Sequence, residues 1–150
     1  MGKQGVRSVI FSEACYGGAV IGKNEKNSIA LRFLALGSRA VVVSTCTSYG
    51  SIQLPLMGAD LLGQLFWQEV REGSCIGQAL LRAKVMLAQK MSRRQGYLDG
   101  EDQKTLISFI LYGDPLAMAG QQMQKRTKRA IRRPVFSSTQ STAVEQVGLS

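Results

Sequence analysis

The sequence predicts an α/β fold in which a mostly parallel sheet is flanked by helices. Two short apolar runs rich in β-branched residues, at 9–14 and 39–46, enclose a stretch with helical spacing, and two longer amphipathic stretches follow. With 150 residues, 45% of them hydrophobic and 19% charged, the chain has a globular composition. This length suffices for one domain with a moderate core, or for part of a larger one.

The first three elements are a strand, a helix and a strand. The run at 9–14 predicts a short buried strand that ends before two glycines. A helix is predicted over 28–36, with Ser28 as its N-cap and Gly37 just past its end. The second strand, at 39–46, holds three consecutive valines, which is typical of a strand covered on both faces. Because the connections are short, a right-handed crossover should make the two strands parallel.

A loop and two helices come next. The loop at 47–60 leaves the carboxyl end of the second strand, where open α/β sheets bind ligands. Apolar residues then recur at helical spacing in 59–72 and again in 75–94. Gly73 is expected to end the first helix, and Ser74 to cap the second.

The remaining chain divides into a last apolar run and a tail. Segment 95–103 has the composition of a turn-rich loop, and the run at 105–117 fits a strand or a helix equally well. A Gly-Asp-Pro turn at 113–115 closes that run. The predicted domain covers 1–120, and 121–150 is expected to be a disordered tail because it holds few apolar residues.

The net charge of +9 is unevenly distributed. Six of the 19 basic residues but one of the ten acidic residues lie in 121–150, so the body of the chain is only mildly basic. The run KRTKRAIRR could contact nucleic acid or an anionic membrane surface. However, no aromatic interleaving or nucleic-acid motif accompanies it, and a solvated tail is the favoured interpretation.

The chain contains three cysteines, Cys15, Cys46 and Cys75, and no histidine. This odd number without CxxC spacing argues against a disulfide framework and a zinc site, so neither metal nor cofactor is expected. No apolar run reaches the roughly 18 residues that a membrane span needs. Since the N-terminus is too polar for a signal peptide and no disulfide pattern exists, a cytoplasmic location is favoured for this chain.

Cys15 is the strongest candidate for chemistry. It follows the first strand and precedes two glycines, an arrangement that can expose a thiol and bring backbone N–H groups close to it. Two interpretations of the residues stay open. Cys15 is either a nucleophile whose base is missing or a buried cysteine at a strand end, and cysteine is among the most buried residue types. Cys46 and Cys75 are interpreted as core or incidental cysteines.

Four segments resemble a known group of enzymes. FSEACYGG resembles the nucleophile segment of the caspase-like clan of cysteine peptidases, and SIALRFLALGSRAVVVSTCTSYG is similar to the helix and strand that follow there. GSCIGQALLRAKVMLAQ resembles a helix of gingipain-like peptidases and CHAT domains, and FILYGDPLA resembles the end of a gingipain-like catalytic domain. The resemblance covers roughly residues 8–117. It implies a partial caspase-like three-layer sandwich, the C-terminal half of such a domain.

The resemblance implies an activity and its missing part. Cys15 would be the nucleophile of a Cys-His dyad that hydrolyses a peptide bond in a peptide or protein substrate. In this clan the histidine lies upstream of the cysteine strand, so it would come from an upstream half of the same domain or from a partner subunit. The chain alone is therefore expected to be inactive.

The resemblance also assigns supporting residues. The N–H of Cys15 would donate to the oxyanion, and Gly18 matches the family glycine beyond the cysteine. Glu13 is expected to brace the strand end rather than to act as the base. Thr47, Ser48 and Tyr49 would form walls of the substrate pocket. No acidic residue there selects Arg or Lys, so specificity is left open.

Two other function classes remain. The first is a non-catalytic CHAT-type scaffold or interaction module, which a histidine-glycine pair upstream would argue against. The second is a nucleotide-binding fragment, for which CYGGAVIGK lacks the spacing of the common phosphate-binding fingerprints.

Overall fold

The computed structural model describes residues 8–51 and 53–119. Predictions for 1–7 and for the tail at 121–150 fall outside the described residues. The described part contains four helices and a three-stranded mixed sheet, which confirms the α/β class. In chain order, the elements are β1 (Val9–Ser12), α1 (Ile29–Ala35), β2 (Ala40–Ser44), α2 (Gly58–Arg71), α3 (Ile76–Gln95), α4 (Gly100–Ser108) and β3 (Phe109–Gly113).

The sheet has the order β1-β2-β3. β1 pairs in parallel with β2, with Val9 opposite Ala40, as the strand–helix–strand pattern predicts. β3 instead pairs antiparallel with β2, with Phe109 opposite Ser44. Because α4 runs directly into β3 at the carboxyl end of β2, the last strand can only return along β2. The sheet is therefore mixed rather than mostly parallel.

The first helix follows its local sequence signals. The Ser28 hydroxyl accepts a hydrogen bond from the N–H of Leu31 at 3.4 Å, and Gly37 adopts a φ of 92° just beyond the helix. The predicted cap of α3 is wrong. The Ser74 hydroxyl donates to the Glu69 carboxylate at 3.0 Å, because this buried, charge-assisted partner is available, and the N-cap position belongs to Cys75.

The apolar run at 105–117 is helix first and strand second. Asp99 caps α4 by accepting from the N–H of Asp102 at 2.8 Å, and the helix continues to Ser108 before β3 begins. The predicted loop at 95–103 is therefore wrong from Gly100 onward. An acidic cap with acidic residues in the first turn is a helix-start signal that the turn-rich composition obscured.

Helices cover both faces of the sheet. Val41 and Val43 point towards α1, whereas Ala40 and Val42 belong to the core formed with α2 and α3. β1 is half-buried along its whole length rather than fully buried, because it lies at the edge of the sheet. In the part of the chain that the structure describes, no helix is long and apolar enough to cross a membrane.

Candidate active site

The carboxyl ends of the two parallel strands bring Cys15 and Ser48 together. Cys15 is exposed, three residues beyond β1, and Ser48 lies in the loop that leaves β2. The Cys15 Sγ atom is 3.7 Å from the Ser48 carbonyl oxygen and 3.9 Å from the Ser48 hydroxyl. The same hydroxyl donates to the backbone oxygen of Glu13 at 2.7 Å. Ser48 therefore connects the Cys15 thiol to the end of β1.

Hydrogen bonding lowers the pKa of the Cys15 thiol. The Ser48 backbone contributes most, followed by the Ser48 hydroxyl, and the N–H of Cys15 and the positive charge of Lys104 act in the same direction. These contributions outweigh the opposing effect of partial desolvation. An exposed thiol with a lowered pKa holds more of the nucleophilic thiolate at neutral pH than an ordinary cysteine does.

Backbone hydrogen bonds beyond Cys15 fix the turn that follows it. The N–H of Tyr16 donates to the Cys46 carbonyl at 3.1 Å, and the N–H of Gly18 donates to the Ser44 carbonyl at 2.8 Å. Tyr16 adopts a φ of 58°, which turns the chain at this point. Within the described residues, the N–H of Cys15 bonds to no other residue. It is thus the backbone donor at this turn that is available to a developing oxyanion.

Gly18 supports the strand end by close approach. A Cβ atom there would lie 2.9 Å from a methyl group of Val43 and 3.1 Å from the Ser44 carbonyl oxygen. Its own carbonyl accepts a hydrogen bond from the Tyr112 hydroxyl at 2.7 Å. Since its N–H is already bonded to Ser44, Gly18 holds the turn against β2 rather than offering a donor.

The three residues predicted to form a pocket wall make different contacts. Thr47 donates to the hydroxyl of Tyr16 at 3.3 Å, whereas Ser48 contacts the thiol. Tyr49 lines a cleft, and the Lys104 ammonium lies 4.7 Å from the centre of the Tyr49 ring. The positive charge of the same lysine also lowers the Cys15 pKa.

The cleft beside Tyr49 has a volume of about 240 Å³. Its apolar surface comes from Tyr49, Met57 and Met91, and its acidic surface from Asp99, Glu101 and Asp102. Burial, and then repulsion from Asp99, raise the pKa of the Asp102 carboxyl. This cleft thus contains acidic side chains, whereas the sequence showed none at the predicted pocket residues. The three acidic residues lie at the start of α4. The sequence there has the composition of a turn, so it did not indicate that these residues line a cleft.

The Glu13 side chain extends towards α2. Its carboxyl oxygen lies 2.9 Å from the place where a Cβ on Gly63 would stand. Partial burial, and then a hydrogen bond with Asp60 and repulsion from it, raise the pKa of Glu13 to about 7. The partner Asp60, in the first turn of α2, was not among the predicted site residues. An acidic residue in the first turn of a helix is common, so the position of Asp60 in the sequence did not indicate that it contacts Glu13.

Cys46 and Cys75 are both half-buried, and none of the three thiols forms a disulfide. The Cys46 thiol contacts the Thr47 carbonyl oxygen at 3.4 Å, and Cys75 is the residue that precedes α3. Among the described residues, no group of three or more Cys, Asp or Glu side chains is arranged to hold a metal ion.

Replacing Ser48 with alanine is expected to shift the pH profile of Cys15 alkylation to higher pH. The variant loses the hydroxyl that helps to lower the thiol pKa, and the alkylation rate at neutral pH should fall roughly threefold. Iodoacetamide labelling followed by mass spectrometry of the Cys15 peptide measures the rate. The control is Ser51→Ala, which removes a hydroxyl bonded to Pro55 in the same loop. If Ser48→Ala and Ser51→Ala give the wild-type profile, the hydroxyl does not act on the thiol.

The fold and the site define an α/β domain with an exposed cysteine at the carboxyl end of an edge strand. No protein-family model, curated protein or solved structure matches the chain. The function is therefore inferred from the geometry around Cys15.

Proposed function

We propose that Cys15 is the nucleophile of a cysteine peptidase site of the caspase-like kind, and that another segment supplies the acid/base group. The observation that carries the proposal is the exposed Cys15 thiol with its lowered pKa, just beyond the end of β1. The N–H of Cys15 lies beside it and bonds to no other described residue. Nucleophilic catalysis needs an accessible thiolate and a donor for the oxyanion, and an exposed thiol of lowered pKa beside a backbone N–H supports both requirements.

The reaction would proceed through an acyl-enzyme. The Cys15 thiolate attacks the peptide carbonyl carbon. The oxyanion that forms accepts a hydrogen bond from the N–H of Cys15. The carbon–nitrogen bond then breaks, and the amine leaves with a proton from the general acid. Water, deprotonated by the same group, hydrolyses the thioester to a carboxylic acid and restores the thiol.

The free edge of β1 is where the missing group would enter. Within the described residues β1 pairs only with β2, so its other edge carries unpaired backbone groups. The chain contains no histidine. A segment that adds a strand at this edge would place a histidine at its carboxyl end beside Cys15 and extend the sheet towards a caspase-like three-layer sandwich. The partner is thus an upstream half of the same domain or a second subunit.

The cleft beside Tyr49 gives a preference for the substrate side chain. Lys and Arg combine an apolar stem with a charged end, and the cleft combines methionine side chains with three carboxylates. A peptide with a basic residue next to the scissile bond is therefore the preferred probe.

The test is labelling by an electrophilic peptide ketone. The 150-residue chain should react slowly at Cys15. A longer protein that includes an upstream histidine-bearing segment should react rapidly, and replacing that histidine with alanine should abolish the gain. A ketone with arginine should react faster than one with aspartate. Equal labelling of Cys15, Cys46 and Cys75 would overturn the proposal and leave the scaffold function as the better explanation.

A further inference from the structure

Two carboxyl groups meet beside the strand end that carries Cys15. Glu13 is the residue after β1, and Asp60 comes from the first turn of α2. Their side chains are close enough to share a hydrogen bond. Two carboxyls can hydrogen-bond to each other only when one of them keeps its proton.

Glycines on both sides allow the two carboxyls to pack this closely. The Asp60 carboxylate fills the space that a Cβ on Gly50 would need. The Glu13 carboxyl occupies the corresponding space at Gly63, in the second turn of α2. The pair therefore touches three parts of the fold: the end of β1, the loop after β2 and the start of α2.

The same three parts are joined near the thiol by hydrogen bonds. The N–H of Ala59 donates to the Tyr49 carbonyl at 2.7 Å, which attaches the loop to α2. The Ser48 hydroxyl donates to the Glu13 carbonyl at 2.7 Å, and Sγ of Cys15 lies 3.9 Å from that hydroxyl. Because a hydroxyl has one proton, it bonds either to Glu13 or to the thiolate. A shift of Glu13 would therefore change whether the Ser48 hydroxyl can donate its hydrogen bond to the Cys15 thiolate.

In the described part of the chain, no cation compensates the two carboxyls, since neither Glu13 nor Asp60 forms an ion pair there. The basic group that acts on the thiol is Lys104 of α4, which lies over Tyr49 and 4.0 Å from the Glu101 carboxylate. The loop at 47–51 contributes no charged side chain. Loss of the shared proton would therefore leave two negative charges facing each other.

We propose that Glu13 and Asp60 share one proton and act as positioning residues for Cys15. While the proton is present, the pair holds the strand end, the loop and α2 together. When it leaves, the carboxylates repel each other, Glu13 moves, and its added negative charge disfavours the thiolate. This deepens the proposed function and rests on it, because it describes regulation of the same site.

The direction of the pH dependence follows from the Glu13 pKa. Its value of about 7 in the folded chain lies above the ordinary 4.5, so the folded state binds the proton more tightly than the unfolded state. The stabilising contribution is complete below about pH 4.5 and is lost as the pH rises through about 7. The regulation therefore falls near neutral pH.

The experiment measures iodoacetamide labelling of Cys15 in the full chain from about pH 5.5 to about pH 9. Glu13→Gln cannot ionise and keeps a hydrogen-bonding side chain. It is expected to match the wild-type rate at about pH 5.5 and to exceed it roughly threefold at about pH 8. Asp60→Asn should instead remove the inflection near pH 7, because Glu13 then has no second carboxylate with which to share its proton. A purely structural role would change the rates at both pH values alike.

The control variant is Glu72→Gln, which removes an exposed carboxylate at the other end of α2 and should leave the profile unchanged. If Glu13→Gln and Asp60→Asn both keep a wild-type inflection near pH 7, the proposal is wrong. If one variant does not fold, the other decides the question. Labelling by iodoacetamide does not need peptide hydrolysis, so this result is independent of the peptide-ketone test.

Discussion

Replacing Phe109 with alanine is expected to lower the free energy of unfolding by about 3–5 kcal/mol. The side chain is 0% exposed, and its ring stacks on Phe11 with the ring centres 5.4 Å apart. Phe11 in turn lies 5.2 Å from Phe66 of α2. The three rings join β3, β1 and α2, so the variant loses aromatic contacts and leaves a cavity between the sheet and the helix layer. Urea denaturation followed by circular dichroism measures the effect.

The matched control for Phe109 is Ile107→Ala, two residues earlier. Ile107 is 77% exposed on α4, so its replacement should change the free energy of unfolding by at most about 0.5 kcal/mol. Both variants remove a large apolar side chain near the α4–β3 junction. Equal effects would show that Phe109 does not lie in a packed core.

Local sequence signals predicted the elements whose ends depend on neighbouring residues. Ser28 caps α1 and Gly37 terminates it, as expected, because both interactions involve residues within a few positions. The valines of β2 are also completely buried, as a strand between two layers requires. Such signals are reliable when the determining contacts are short in sequence.

The boundary between α4 and β3 could not be predicted from neighbouring residues, because pairing with the distant strand β2 determines where β3 begins. The run at 105–117 is apolar throughout, so its spacing does not separate helix from strand. The strand begins where Phe109 comes opposite Ser44, and the N–H of Thr45 donates to the Ser108 carbonyl at 3.0 Å. Asp99 did carry a local signal for the helix start, and the turn-like residues around it hid that signal.

Some features of the candidate site could likewise be predicted from local sequence, whereas others depend on tertiary packing. The position of Cys15 beyond a strand, and the approach of the loop with Ser48, follow from the parallel pairing of two predicted strands. Asp60 and Lys104 reach the site from α2 and α4 through tertiary packing. Neither has a sequence pattern that relates it to Cys15. The structure therefore adds the charged groups of the site, of which Lys104 contributes to the lowered pKa of the thiol after Ser48.

Replacing Gly58 with alanine is expected to destabilise the loop that carries Ser48 and Tyr49, by about 2–4 kcal/mol. Gly58 has a φ of 51°, where a side chain is strained. In addition, its Cβ would collide with the backbone oxygen of Tyr49, which cannot move without shifting the loop. We expect a lower unfolding midpoint in urea and an altered rate of Cys15 alkylation.

The control for Gly58 is Gly73→Ala at the end of α2. Gly73 also has a positive φ, 91°, but no atom lies within 4 Å of the position that its Cβ would take. Its replacement should cost only the conformational strain, about 1 kcal/mol, and should leave Cys15 alkylation unchanged. The difference between the two variants therefore measures the close approach of Gly58 to Tyr49. If both lose the same stability and label alike, that contact does not position the loop.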